Sequence, residues 1–438
     1  MSFSTDHVSS DGGSLLLDLA DQQMGLIGNL AACIHDLRQQ GKIDHTLEEL
    51  LRQRIFGIAC GYFDCNDAAH LRHDPVMKIL RGDLPSSERD LASQPTLSRL
   101  ENSVSRTDLY RLGDCLMDIV IDIARQRHGK NSSLITIDLD PTVDPAHGEQ
   151  QLTLFNAHYD CRCYLPMPGF ISFNADPEMY LVAVLLRGGH AHATDGAIGL
   201  LDRLLPKLRD AFPKAKIRVR LDGGFATPEM LDYLEAPPKV EYLISIPKNS
   251  VLVRFAEPLM KKARREAKKI KGTARVFGEV QYAAKSWKKH ERRVVIKAEV
   301  AYQEGREFRD NPRFVVTNMR HKPENLYQIY RDRGECENRI KELKYGLELD
   351  RASCTSFLSN QFRNLLVAAA YALFQQIRYA ARGTSLERTQ VDGLRFRLLK
   401  IGVRVVESAR RIVLHAPKAF AWAQEFLTIA RRLRVRVA

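Results

Sequence analysis

Apolar residues recur at two different spacings along this chain, and the change of spacing divides it. From Ser14 to about Gly129 they return every three or four positions, in SLLLDLADQQMGLIGNLAACIHDLRQQ, TLEELLRQRIFGIACGYF and TDLYRLGDCLMDIVIDIARQRH. That is the spacing of helices with one packed face. The first dozen residues, MSFSTDHVSSDG, carry no such pattern and are expected to be disordered. Between the helical stretches, LASQPTLSRLEN (Leu91–Asn102) offers Ser93 as a cap, Pro95 in the first turn, and Thr96, Ser98 and Arg99 as short polar or cationic groups. Two readings stand for it: the DNA-touching end of a helix-turn-helix, with Arg99 on the nucleic acid, or an ordinary capped helix of a bundle.

From Ser133 the spacing drops to two, which predicts strands at Leu134–Leu139, Thr153–Pro166 and Phe170–Arg187. A helix over Asp195–Phe212, a strand over Lys216–Leu221, a helix opened by Thr227 and Pro228, and a strand over Glu241–Ile246 follow. This order predicts an α/β fold, a ribonuclease-H-like mixed sheet with helices on both faces. After Lys248 comes a cationic helical run, PLMKKARREAKKIKG, and then alternating strands around Arg275–Tyr282, Arg292–Tyr302 and Arg313–Asn318. The predicted organisation is a helical DNA-binding domain over 1–130 and a catalytic core over 131–249 and 320–380. A β-rich insertion over 250–319 interrupts the core, and a basic helical region spans 381–438.

One stretch combines packing and chemistry, Tyr330–Lys344, YRDRGECENRIKELK. Read as one helix at roughly 100° per residue, it gathers Tyr330, Arg333, Glu337 and Lys344 into a wedge roughly 60° wide, with Lys341 at its edge. Ile329, Cys336, Ile340, Leu343 and Leu347 form an apolar stripe beside the wedge. The pattern taken alone equally describes a solvated, salt-bridged amphipathic helix.

Charge gives that wedge a direction. With 66 Lys and Arg against 53 Asp and Glu, the formal charge is +13, which favours a polyanionic partner such as nucleic acid. Eight scattered cysteines without paired CxxC motifs imply reduced thiols and no structural zinc. His158, Cys161 and Cys163 fit strand alternation better than a metal site. There is no run of eighteen apolar residues and no signal-peptide core, so a cytoplasmic protein that does not span a membrane is expected.

Alternation places Asp138 and Asp140 on one face of the first strand, and Asp222 at the end of the Lys216–Leu221 strand, before Gly223 and Gly224. Singly, such aspartates are more often turn residues or strand terminators. Jointly with Glu337 they fit a site for two hard divalent cations that supports phosphodiester displacement.

Tyr330-x2-Arg333-x3-Glu337-x6-Lys344 matches the Y-x2-R-x3-E-x6-K signature, and the chain thereby resembles the DDE transposases of bacterial insertion sequences. RGECENRIKE (Arg333–Glu342) resembles a group with an RGxxENRIKE helix. DLDPTVDPAHG, RLDGGF and SNQFR resemble the same group's first catalytic strand, second catalytic strand and following helix. The likeness covers about residues 90 to 375. It implies a triad of Asp140, Asp222 and Glu337 holding two Mg²⁺, with Mn²⁺ able to substitute. The acid-x-Thr pattern selects Asp140, and Asp138 stays a second metal-ligand candidate.

The resemblance further implies that Tyr330, Arg333 and Lys344 hold terminal phosphates, and Arg339 and Lys341 are expected further along the DNA backbone. Trp287 lies among cations in the insertion, either stacked on a flipped base or packed in the sheet. The implied protein binds double-stranded DNA (inverted repeats and target), acts as a homodimer in a synaptic complex, and is a nucleoid-associated bacterial protein. The alternatives are a nuclease without strand transfer and a catalytically silent repressor.

Overall fold

Leu134–Leu139 (β1) alternates apolar and polar residues, yet all but its first residue are buried, because it lies in the middle of a sheet covered on both sides. A computed structural model describes residues 7–434 apart from 237, 239, 288, 289, 303 and 305. The other main strands are Met167–Phe173 (β2), Met179–Leu185 (β3), Lys216–Leu221 (β4), Glu241–Ile246 (β5), Ala274–Tyr282 (β6), Arg292–Ala301 (β7) and Arg313–Thr317 (β8). They run β6-β7-β8-β5-β4-β1-β2-β3 across one mixed sheet, with the short strand Arg309–Asp310 beside β7. β1, β4 and β5 are parallel, and β2 runs antiparallel to both β1 and β3.

Two expected strands changed character. Phe170–Arg187 is not one strand but part of the β2–β3 hairpin, turned through Asn174 at positive φ. Thr153–Pro166 stays outside the main sheet. Its Cys161–Tyr164 pairs with Leu154–Asn156 on one side and with Asp144–Pro145 on the other, making a small separate sheet. The strands expected in the insertion continue the main sheet. β8 pairs antiparallel with β5, so residues 274–317 lengthen the main sheet.

The helices that bear on the site are Leu15–Met24 (α1), Leu26–Ala32 (α2), Leu47–Cys60 (α3), Gln94–Ser103 (α4), Arg106–His128 (α5), Ala197–Ala211 (α6), Pro228–Glu235 (α7), Ser250–Ile270 (α8), Pro323–Arg331 (α9), Gly334–Leu347 (α10) and Phe357–Ala380 (α11). α11 is buried along nearly its whole length. It packs on β3 and α5 from one part of the chain and on α1, α3 and α4 from another. A buried ion network reinforces the contact: Glu101 on α4 accepts Arg54 at 2.7 Å and Arg363 of α11 at 3.2 Å.

Both chain ends differ from expectation. Residues 1–6 lie outside the described residues, but Val8–Ser9 is a strand, and Ser9, Asp11 and Gly12 are buried. The 381–438 region is not all helical. Val403–Ser408 and Arg411–His415 form a hairpin that Val8–Ser9 extends to three strands. Its signal is Val403 and Val405 facing inward, alternating with exposed Arg404 and Val406. The abundance of arginine hid that alternation.

Candidate active site

The parallel strands β1, β4 and β5 end on one side of the sheet, where ligand sites of such sheets collect. Asp140 follows β1 there, and Asp222 follows β4. α10 supplies the third carboxylate. Cys336, Ile340, Leu343 and Leu347 are buried and seat it, each large apolar side chain contributing about 1.5–3 kcal/mol. The expected single helix is in fact two: α9 ends at Arg331, and a turn at Asp332 and Arg333 leads into α10. Tyr330 therefore stands on α9, and Glu337 and Lys344 on α10. Arg333 keeps right-handed helical dihedrals at the join, so its side chain still reaches the carboxylates.

Arg333 joins the parts. Its guanidinium lies 2.8 Å from Asp140 and 3.2 Å from Glu337. The Asp140 side chain is 12 % exposed and turns toward this guanidinium, not into the apolar layer. Glu337 is 55 % exposed, open to solvent and to any incoming ligand. Burial, opposed by Arg333 and aided by Asp222 and Glu337, raises the Asp140 carboxyl to about 7. Burial works against charge on Arg333, but Asp140 above all outweighs this and raises its pKa.

Three carboxylates acting on one another, with Arg333 alone ion-paired to them among the described residues, are short of positive charge. Their donors are all oxygens, the set that hard divalent ions take, so the residues fit such ions. The only group of three or more His, Cys, Asp and Glu among the described residues with all donor atoms within 4.8 Å lies elsewhere: Asp232, Glu235 and His290. Arg292 already occupies that group, at 2.6 Å from Asp232 and 2.9 Å from Glu235. It also lies toward the opposite end of the sheet, since α7 leads into the start of β5, whereas Asp140 and Asp222 follow strand ends.

Asp138 is not available to a metal. It is 0 % exposed, and Arg220, its register partner on β4, donates to both its oxygens at 2.9 and 2.7 Å. Arg220 also donates to the Ile329 carbonyl at 2.9 Å, tying α9 to the strands. Trp287 is 4 % exposed, packed edge-on against Tyr282 and beneath Arg292, so it is a packing residue and not a base platform. Arg339 pairs with Glu342 at 2.9 Å. Lys344 donates to the Val143 carbonyl at 2.9 Å and pairs with Asp350 at 3.1 Å, so both cations are already committed within the fold.

Lys341 is exposed. Tyr330 is largely buried, which raises its pKa. With Gly223, Ser245, Lys248, Arg309, Arg313 and Tyr327 it lines a cleft of about 670 Å³ beside Asp222. Arg99 is exposed on α4, far along the chain from these groups, bonded at 3.3 Å to Thr96. Ser93 caps α4 by position only, without a side-chain bond to the helix backbone.

Asp222 accepts the Gly224 N–H at 2.9 Å, which fixes the turn after β4. Gly224 is not an open approach, because a Cβ there would lie 2.7 Å from the Ala193 side chain. The loop so packed carries Arg187, which sequence reasoning missed. Its guanidinium is buried and donates to the carbonyls of Leu165, His192 and Ala193. Burial brings its pKa down to about 10, with Asp195, Tyr159 and Asp222 opposing. Tyr159, from the small sheet, was missed as well. Burial raises its pKa, and Asp140 and Asp222 add to this. A cation at a strand end before Gly188-Gly189 was a legible signal for Arg187; Tyr159 had none.

A family model described as transposase DDE domain group 1 matches residues 1–437. Among curated proteins nothing matches the chain.

Proposed function

The chain belongs to the transposase DDE domain group 1 family, and on that premise we propose that it binds the terminal inverted repeats of its own element, cleaves DNA at the element ends and joins the 3′-hydroxyls to target DNA. The observation that carries this reading is the Arg333 bridge, which brings the strand-borne Asp140 and the helix-borne Glu337 to one guanidinium beside Asp222. The strand order around β1, with helices on both faces, supports a ribonuclease-H-like core.

Asp140, Asp222 and Glu337 would hold two Mg²⁺, with Mn²⁺ as substitute; when bound, such ions stabilise the charge of phosphodiester displacement. Arg333 keeps the acidic site compact and turns toward phosphate oxygens as DNA enters. Tyr330, at the wall of the cleft, and Lys341 contact the DNA backbone. Lys344 and Arg339 act by bracing α10. The Asp138–Arg220 pair fixes β1 against β4 so that Asp140 and Asp222 keep their spacing. The protein works in the cytoplasm on nucleoid DNA, as a homodimer that synapses two ends. Among the described residues no helix is long and apolar enough to cross a membrane.

The experiment is cleavage of a labelled element-end duplex in the presence of Mg²⁺. Asp140→Ala, Asp222→Ala and Glu337→Ala are each expected to lower the rate by a factor on the order of 100 or more, the loss that removal of a charge-stabilising group brings. Unchanged cleavage in Asp222→Ala and Glu337→Ala would remove the site. Cleavage without joining would leave a nuclease, and sequence-specific binding without cleavage a repressor.

A further inference from the structure

The cationic run that follows the catalytic core has no part in the site described above. It forms α8, whose 21 residues extend about 31 Å at 1.5 Å per residue. Leu252, Ala256, Met260, Ala263 and Ala267 are buried, and α8 packs by this side on β6 and β7. At roughly 100° per residue, Arg254, Lys261, Arg265 and Lys268 fall within roughly 60° of one another on the opposite side, with Lys262 and Lys269 flanking them. All six are exposed, and none forms an ion pair among the described residues. The acid Glu257 is held by Arg264 at 2.7 Å, which also pairs with Asp310, and it feels Lys261 as well, so it offsets only a small part of this charge. Glu266 alone stands exposed on the flank.

Six like charges on one face repel one another and add nothing to folding, so their value lies in a partner. The run starts at Ser250, two residues after Lys248 in the wall of the cleft beside Asp222. The charged face therefore leads away from the catalytic end of the sheet. Its length is close to one turn of B-form DNA, about 34 Å. Four of the six are lysines, which act on phosphates as point charges and carry no base code.

We propose that the outer face of α8 is a sequence-independent track for the phosphate backbone of double-stranded DNA, guiding a duplex of arbitrary sequence to the catalytic end. This rests on the transposase reading above and adds to it a surface and the kind of duplex it takes. The apolar residues exposed on α8, Val251, Val253, Phe255 and Ile270, are spread around it and form no single stripe that could insert in a membrane, and this favours DNA over an anionic bilayer.

The test uses the full chain and a fluorescent random-sequence duplex of about 30 base pairs, with affinity measured from about 50 to 300 mM NaCl. K261E/R265E/K268E should bind at least tenfold more weakly at low salt. The neutral K261Q/R265Q/K268Q variant should flatten the slope of log affinity against log salt by about 3, one counterion release per lost contact. Unchanged circular dichroism and melting temperature would show that both variants fold. Unchanged affinity and slope would overturn the proposal. So would a loss of binding confined to phosphatidylserine vesicles, which would make α8 a membrane contact. Glu337→Gln separates the two readings: it should bind this duplex normally while losing element-end cleavage. A flat result for the α8 variants beside that loss removes the track alone; normal cleavage by Glu337→Gln removes the catalytic reading alone.

Discussion

At Asp138 the chain buries a carboxylate completely and satisfies it with both arms of Arg220. Burial raises the pKa of this group, and Arg220 opposes the rise, so the charge depends on its partner. Removing one partner of such a pair leaves the other uncompensated, at a cost of about 3–5 kcal/mol, whereas replacing both by neutral groups costs less. Arg220→Ala is therefore expected to lower stability by about that amount in urea titrations, and Asp138→Asn/Arg220→Gln to recover part of it. A double variant no better than the single one would contradict this account.

Asp144 is the contrasting residue. Burial and then the neighbouring Asp350 carboxylate push it up to about 7, and the Ala352 N–H, Lys344 and Arg363 offset only part. Its folded pKa lies above the ordinary 3.8, so the group favours the folded state below that value, and the advantage is lost as pH rises through 7. Asp144→Asn should therefore melt higher than the parent at pH 8, by on the order of 2–4 kcal/mol, with the gap closing toward about pH 4. A gap that does not change with pH would show that the carboxyl keeps its ordinary value.

Elements set by strong periodicity were legible from the sequence. β1, β4 and β5 have the expected ends, and α5 and α11 lie where their apolar stripes put them, whereas the helix expected over Tyr330–Lys344 breaks at Asp332 and Arg333. What was not legible depends on partners remote in sequence. The small sheet holding Cys161–Tyr164 needs Asp144–Pro145, and the C-terminal hairpin needs Val8–Ser9. The site shows the same limit at smaller scale. The wedge on α10 correctly put Glu337 outward and Cys336 inward, because helical spacing fixes both. Spacing did not foretell that Lys344 would turn to Val143 and Asp350, or Arg339 to Glu342.

Glu342 itself is buried, with Arg378, Tyr371 and the Val391 N–H all bonded to it. The conspicuous acid of the RIKE run is thus a brace between α10 and α11 rather than a ligand. Conversely, Trp287 sits among charged neighbours in sequence, yet Tyr282 and Arg292 enclose it in space. Residue type announced which groups have chemistry to offer, and tertiary partners decided which remain free to use it.

Across the whole molecule, the boundary expected near residue 130 is not a boundary in packing. The main apolar core takes in residues from Leu16 to Leu433, on both sides of that position, and a smaller cluster of Leu243, Val295, Val315, Met319 and Leu326 lies beside α9. α11 lies within the main core, with Phe362, Leu366, Leu373, Phe374 and Ile377 all buried. At about 1.5–3 kcal/mol for each large apolar side chain, these five represent on the order of 10 kcal/mol. That is comparable with the whole stability of a typical folded protein, about 5–15 kcal/mol. Parting the N-terminal helices from the rest would also leave Arg363 without Glu101, which keeps only Arg54, and so break a buried network shared by both parts. Neither part is then expected to survive alone. The full chain should unfold in one calorimetric transition whose measured and van't Hoff enthalpies agree. A chain cut after Gly129 should leave a 1–129 fragment that is aggregated or lacks a cooperative melt. Two separated transitions, or a 1–129 fragment that melts cooperatively, would show instead that the N-terminal helices are an independent domain.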